Sequence, residues 1–154
     1  MRILVISDSH GNTRNIERAV ESQPEANIII HLGDGADDIV DLEFVYRDKQ
    51  FYQVAGNCDW GSSLPLEGEL KVADKTIFFV HGHEYRVKTN LQQIKMEARK
   101  MNADIVLFGH THLPITEYDD ELYLLNPGSL QYADGTYGII DITDAGISVQ
   151  IIKV

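Results

Sequence analysis

Ile3-Leu4-Val5-Ile6-Ser7-Asp8-Ser9-His10 opens on four apolar residues and closes on two side chains that can bind a metal. Four later stretches repeat the plan. Ile28–Ile30 lead through His31-Leu32-Gly33 to Asp34, and Phe51–Ala55 lead through Gly56 to Asn57. Ile77–Val80 end on His81, and Ile105–Phe108 lead through Gly109 to His110 and His112. Short apolar runs rich in Ile and Val read as buried strands. In open α/β sheets, ligands sit outside the carboxyl ends of the strands. The reading therefore predicts that Asp8, His10, Asp34, Asn57, His81, His110 and His112 meet in space, and a metal enzyme is the leading class.

The bulk composition narrows the alternatives. At 154 residues and 44% hydrophobic content, the chain fits one domain, residues 1–154, with a substantial core. No apolar stretch approaches the roughly 18 residues that a membrane span needs. The N-terminal run meets Asp8 without a small-residue cleavage site, so it does not read as a signal peptide. One cysteine, Cys58, excludes an internal disulfide and a thiolate-rich zinc site. The expected setting is reducing and cytoplasmic. A net charge of −11 argues against bulk nucleic-acid binding, which needs clustered Lys and Arg. It leaves room for a phosphate substrate, because divalent ions invert the local field.

Helical periodicity is expected over residues 12–22, with Ile16, Ala19 and Val20 on one face and Asn12 or Thr13 as cap. It recurs over 36–47, with acids in the first turn and Arg47 in the last, and over 90–101, capped by Thr89 or Asn90. Hairpins are expected for 68–73 with 76–81, turning at Asp74-Lys75, for 115–118 with 122–125, and for 136–143 with 147–153. The pattern puts βαβ units in front and antiparallel hairpins behind. Two sheets packed face to face, with helices outside, would bury all of it.

The seven ligand candidates carry imidazole and carboxylate but no thiolate. Such a set suits Mn²⁺, Fe, Zn²⁺, Ni²⁺ or Co²⁺ better than Ca²⁺ or Mg²⁺ alone. Seven groups exceed one tetrahedral ion and fit two, with one carboxylate bridging. Two such ions clamp the attacking and leaving oxygens of an in-line displacement.

Asp8-Ser-His10, Gly33-Asp34, Gly56-Asn57-Cys58-Asp59, His81-Gly-His83 and Gly109-His110-Thr-His112 stand in an order that resembles the calcineurin-like metallophosphoesterases. The short insertions resemble the compact prokaryotic phosphodiesterase branch, which is similar in fold to Vps29. The resemblance implies an α/β fold, a four-layer α-β-β-α sandwich of two mixed sheets. It implies a first ion on Asp8, His10, Asp34 and His112, and a second on Asp34, Asn57, His81 and His110. The implied cofactors are two divalent transition-metal ions, Mn²⁺ foremost. The implied reaction is hydrolysis of a small phosphodiester by in-line attack of a metal-bridging hydroxide.

One position departs from the family. Many members carry a histidine after the metal-binding Asn that protonates the leaving oxygen; here it is Cys58, a weak hydrogen-bond donor. Asp59 is present without the histidine it would orient. Cys58, Asp59 and His83 are therefore the catalytic candidates, with His83 a substitute acid. His31 reads as a core residue or a support for the ligands, and Asp37 and Asp38 as a charged helix turn. Asn126-Pro127-Gly128-Ser129 reads as a structural loop near the site, and Gly11 and Asn12 as a helix start. Trp60, Tyr85 and Tyr132 read as packing or pocket lining. The competing functions are a phosphomonoesterase and a Vps29-like interaction scaffold; the full ligand set favours catalysis. A homo-oligomer through a strand edge or helix face is left open.

Overall fold

The computed structural model describes residues 1–154, and the strands and helices follow the apolar runs. The order is β1 (Arg2–Ile6), α1 (Thr13–Ser22), β2 (Ala26–His31), a 3₁₀ turn (Ala36–Ile39), α2 (Val40–Val45), β3 (Gln50–Gln53), β4 (Glu67–Val72) and β5 (Lys75–Val80). Then come α3 (Gln92–Lys100), β6 (Ile105–Leu107), β7 (Ile115–Asp119), β8 (Leu122–Asn126), β9 (Thr136–Thr143) and β10 (Gly146–Lys153). One sheet runs β10-β9-β1-β2-β3 and the other β4-β5-β6-β8-β7. β1, β2 and β3 are mutually parallel, as are β5, β6 and β8, and the remaining pairings are antiparallel.

Three apolar layers explain why the central strands are apolar on both faces. Ile3, Val5, Ile28, Ile30 and Ile140 meet Ile77, Phe79, Ile105, Leu107 and Leu125 between the sheets. Outside the first sheet, Leu4, Ile6 and Ile29 pack on Ile16, Ala19 and Val20 of α1. Outside the second, Phe78, Val80, Val106 and Leu124 pack on Ile94 and Ala98 of α3. Strands covered on both faces read as continuous apolar runs rather than alternating ones. The result is the expected four-layer sandwich. No helix is long and apolar enough to cross a membrane.

Two expectations need correction. The helix over 36–47 divides into the 3₁₀ turn and the short α2, and Arg47 lies beyond it. Asp38 N–H closes an i→i+3 bond to Gly35 (3.0 Å), which tightens the first turn, and the Asp38 carboxylate is drawn back to Gly11 and Ser9. The first hairpin turns one residue early, at Ala73-Asp74. Both take positive φ, 48° and 62°, the backbone that two-residue hairpins require. α1 matches its expectation, and the Asn12 side chain accepts from Asn15 N–H at 3.2 Å.

β9 shows how closely the sheets approach. Ile140 and Ile142 face the inner core, and Gly138 shares that face. A Cβ on Gly138 would stand 2.7 Å from Leu125 Cδ2. Gly138→Val is expected to destabilise the protein by roughly 1–3 kcal/mol through overpacking. Adding Leu125→Ala should cost less than the sum of the single changes in chemical denaturation. Strict additivity would mean that the two residues do not share this space.

Candidate metal centre

Five loops leave β1, β2, β3, β5 and β6 at one end of the sandwich and carry all seven predicted ligands there. Asp8, His10 and His112 form one group whose ligand atoms lie within 4.8 Å of one another. Asp34, His81 and His110 form a second by the same measure. Asn57 Oδ1 joins the second at 3.2 Å from His81 Nε2. Asp34 stands between the groups, its Oδ2 at 3.8 Å from His10 Nε2 and 3.5 Å from His81 Nε2. His10 Nε2 and His112 Nε2 are 3.4 Å apart.

Five of the seven residues take left-handed backbone: Asp8 (φ 52°), His10 (44°), Asp34 (56°), His110 (65°) and His112 (59°). Non-glycine residues rarely occupy this region, and such strain clusters at functional sites. Each turns the chain sharply off a buried strand and points its side chain across the sheet edge. The close approach of the loops depends on glycine at two points. A Cβ on Gly56 would meet Asp34 Oδ1 at 2.1 Å, and one on Gly109 would meet Ser7 Oγ at 2.0 Å.

The donor chemistry fits cations. His81 Nδ1 lies 2.7 Å from the Leu32 carbonyl, which can only accept, so Nδ1 carries the proton. Nε2 is then a lone pair, and it faces Asn57 Oδ1 and Asp34 Oδ2, which cannot donate to it, and the His110 Nδ1 atom at 3.1 Å. A carbonyl that fixes the tautomer in this way is a regular support for a metal-binding imidazole. Burial lowers the His81 and His110 pKa values to about 4, and it lowers that of His112 too, helped by the Lys88 charge. These rings are neutral at pH 7. Asp8 has no exposed surface, and its Oδ1 accepts no hydrogen bond although His112 Nε2 lies 3.0 Å away. Its Oδ2 accepts from Ser7 Oγ and from His110 N–H (3.0 Å). Burial outweighs these bonds and pushes the Asp8 carboxyl up to about 6. A buried, half-satisfied carboxylate beside neutral imidazoles is a donor set that fits a cation.

The three catalytic candidates fare differently. Cys58 is exposed at the mouth and lies close enough to His10 and Asp34 to form a third ligand-capable group, which the sequence did not suggest. Desolvation, then the hydrogen bond and charge of Asp34, push its thiol pKa up. Asp59 turns inward and accepts four backbone N–H groups, from Asp34 (2.8 Å), Gly35 (2.9 Å), Ala36 (2.9 Å) and Gly56 (2.7 Å). Burial pushes its carboxyl up, but the four amides prevail and hold it below the ordinary range. Asp59 ties the loop after β3 to the loop after β2. The His83 ring centre is 5.4 Å from that of His81 and 6.1 Å from that of His110. Its Nδ1 is buried without a partner, and its Nε2 is 3.4 Å from Glu84 Oε1.

Asn126, Ser129 and His31 support the loops. Asn126 donates to Gly109 O (2.8 Å) and Thr111 Oγ1 (3.0 Å), and so shapes the turn between His110 and His112. Ser129 Oγ donates to Asp8 O at 2.8 Å. His31 is fully buried and bonded within the core. Tyr85 packs edge-on against Phe78 and bonds Glu67, Tyr132 stands beside His112, and Trp60 is exposed.

A calcineurin-like phosphoesterase superfamily domain matches residues 1–145, and the chain belongs to that superfamily of metal-dependent phosphoesterases. It is 32% identical to the probable metallophosphoesterase YsnB of Bacillus subtilis, over 85% of this chain and 76% of that one. It is 29% identical to the phosphodiesterase MJ0936 of Methanocaldococcus jannaschii, over 92% and 93%. Its fold is shared with zinc-complexed Vps29 of Entamoeba histolytica, at TM-score 0.77 and 21% identity over 100% and 98% of the two chains.

Asp8 makes the metal-free protein sensitive to pH. A carboxyl whose folded pKa is raised, here from 3.8 to about 6, stabilises the fold below its unfolded pKa and loses that contribution as pH rises through the folded one. Asp8→Asn keeps an acceptor for Ser7 and His110 and removes the charge. In metal-free protein at pH 8 it should be more stable by roughly 2–3 kcal/mol. The difference should vanish below about pH 4, the unfolded carboxyl value. Denaturant titrations across pH check this, and an equal effect at both ends would refute it.

Proposed function

We propose that this protein is a binuclear metal-dependent phosphodiesterase acting on a small diester, built as one domain over residues 1–154. The observation that carries the reading is Asp34 Oδ2, which faces both ligand groups at once. Asp8, His10 and His112 would complete one ion, and Asn57, His81 and His110 the other. Mn²⁺ is the proposed ion, with Ni²⁺, Zn²⁺, Fe and Co²⁺ sharing the same ligand chemistry. Divalent ions held there polarise phosphoryl oxygens and lower the pKa of water toward about 7.

The residues around the ligands set what the site can do with a leaving group. The choice of diester over monoester rests on the relation to MJ0936. Cys58 keeps its proton at neutral pH because its pKa is raised, but a thiol donates weakly. A well-placed general acid contributes roughly 10²–10⁴-fold, so the site should favour good leaving groups. His83 is the proposed partial substitute. It lies beside His81 and His110 and has a buried nitrogen free of hydrogen bonds. The single thiol suits the reducing cytoplasm.

Metal-stripped protein should hydrolyse bis(p-nitrophenyl) phosphate only after Mn²⁺ is restored, and Asp34→Ala should abolish turnover. No turnover with Mn²⁺, Ni²⁺ or Zn²⁺ would overturn the diesterase reading. Cys58→His should raise kcat by about ten-fold or more on alkyl diesters, whose leaving groups need a proton. On the nitrophenyl ester it should change kcat little. An unchanged alkyl rate with both metals bound would refute the role given to this position.

A further inference from the structure

Two hydrogen-bond networks reach the ligand loops from below, and they meet at Gly35, whose N–H donates to Asp59 (2.9 Å) and whose carbonyl accepts from Asp38 N–H (3.0 Å). The first is a relay through β2. His31 is fully buried, and its Nδ1 accepts from Gly33 N–H at 3.1 Å. That bond leaves the proton on Nε2, which lies 3.1 Å from Ser9 Oγ. Ser9 then donates onward to Asp38 Oδ2 at 2.6 Å. The same Asp38 oxygen accepts from Gly11 N–H at 2.8 Å. The two bonds from Ser9 and Gly11 bracket His10. A Cβ at Gly35 would enter this relay, 2.0 Å from Ser9 Oγ and 2.7 Å from Asp38 Oδ2. The second network is Asp59, whose four bonds hold residues 34–36 against Gly56. It fixes the loop that carries Asn57, while Cys58 N–H donates to Asp34 Oδ1 at 2.7 Å.

We propose that these networks position the two ions separately: His31, Ser9 and Asp38 serve the ion on Asp8, His10 and His112, and Asp59 serves the ion on Asn57, His81 and His110. The inference rests on the binuclear reading above. All four are positioning residues, since none is a ligand in that reading. The division follows from which loop each network grips: the relay holds the chain on both sides of His10, and Asp59 ties residues 34–36 to Gly56, the residue before Asn57. It also gives Asp59 a task in a chain that lacks the histidine it would otherwise orient.

Calorimetric titration of the metal-free protein with Mn²⁺ tests the division, with EPR to distinguish coupled pairs from single ions. Wild type should take up two ions; fewer than two would defeat the binuclear reading itself and this inference with it. Asp38→Ala should weaken one ion by about 10–100-fold, the usual effect of losing such a partner. The other ion should stay within a few-fold. Ser9→Ala should act in the same direction, and Asp38→Asn, which keeps the acceptor oxygen, should restore most of the affinity. Asp59→Ala should weaken one ion as well, and the identity of each is read from double variants. Asp38→Ala should add nothing to the loss already caused by His10→Ala, but should weaken the ion that remains in Asn57→Ala by about the same 10–100-fold. Asp59→Ala should do the reverse. Melting of each metal-free variant separates loss of fold from loss of a site. Equal weakening of both ions by folded Asp38→Ala, or no weakening, would overturn the proposal.

Discussion

A carboxylate with no exposed surface, Asp8, sits where the two sheets meet, and the rest of the site is arranged around keeping it there. An ionised carboxylate in an apolar setting is costly unless it is paired and hydrogen-bonded. Here the pairing is partial. Ser7 and the His110 amide satisfy one oxygen, and the other faces neutral imidazole. The protein thus holds a partly uncompensated negative charge that a cation would balance. The overall charge of −11 points the same way. Two divalent ions would reverse the sign of the field at this end of the sandwich alone, and an anionic ester would be drawn there rather than to the surface at large.

The same economy appears in the backbone. Left-handed turns at Asp8, His10, Asp34, His110 and His112 are each strained by roughly 1–3 kcal/mol. They survive because the strands before them are locked on both faces. Ile3–Ile6 and Ile105–Leu107 have no exposed surface at all. A rigid strand that stops abruptly turns a loop residue into a fixed pointer, which a ligand set with atoms within 4.8 Å of one another requires. The three apolar layers are therefore more than a source of stability. They set the level at which five strands from two sheets, β1, β2, β3, β5 and β6, end together.

What could be read from the sequence follows this logic. The runs ending at Asp8, Asp34, His81 and His110 combine a strong strand signal with a chemically distinct last residue, so strand position and the clustering of metal-capable side chains are legible together. The double-faced burial of the strands is legible too, because Ile-rich runs without alternation need cover on both sides. The tertiary use of polar groups is not. Asp38 reads locally as the acidic first turn of a helix, yet its carboxylate turns back to Ser9 and Gly11, and the helix breaks into a 3₁₀ turn and a short α2. Asp59 reads as an orienting carboxylate with no histidine. Its four amide partners lie on residues 34–36 and 56, which only the folded chain brings together. Left-handed φ at His10 or His112 has no local signature either, since it is imposed by the loops they cross.

The Cys58-Asp59 pair shows how a site can keep its geometry while its chemistry shifts. If Asp59 served only to orient a histidine, the change to cysteine would leave it without a task, and a buried carboxylate without partners is destabilising. Instead it accepts four amides that no histidine could satisfy, so its presence follows from backbone architecture. Positions 58 and 59 are then under different constraints. Residue 58 is exposed; its backbone N–H bonds Asp34, which any residue other than proline supplies, and its thiol lies beside His10 and Asp34 at the mouth of the site. The side chain at 59 is fixed by the loops it joins. If position 58 supplies the leaving-group proton, as proposed, its side chain could be exchanged without disturbing the atoms that would hold the ions.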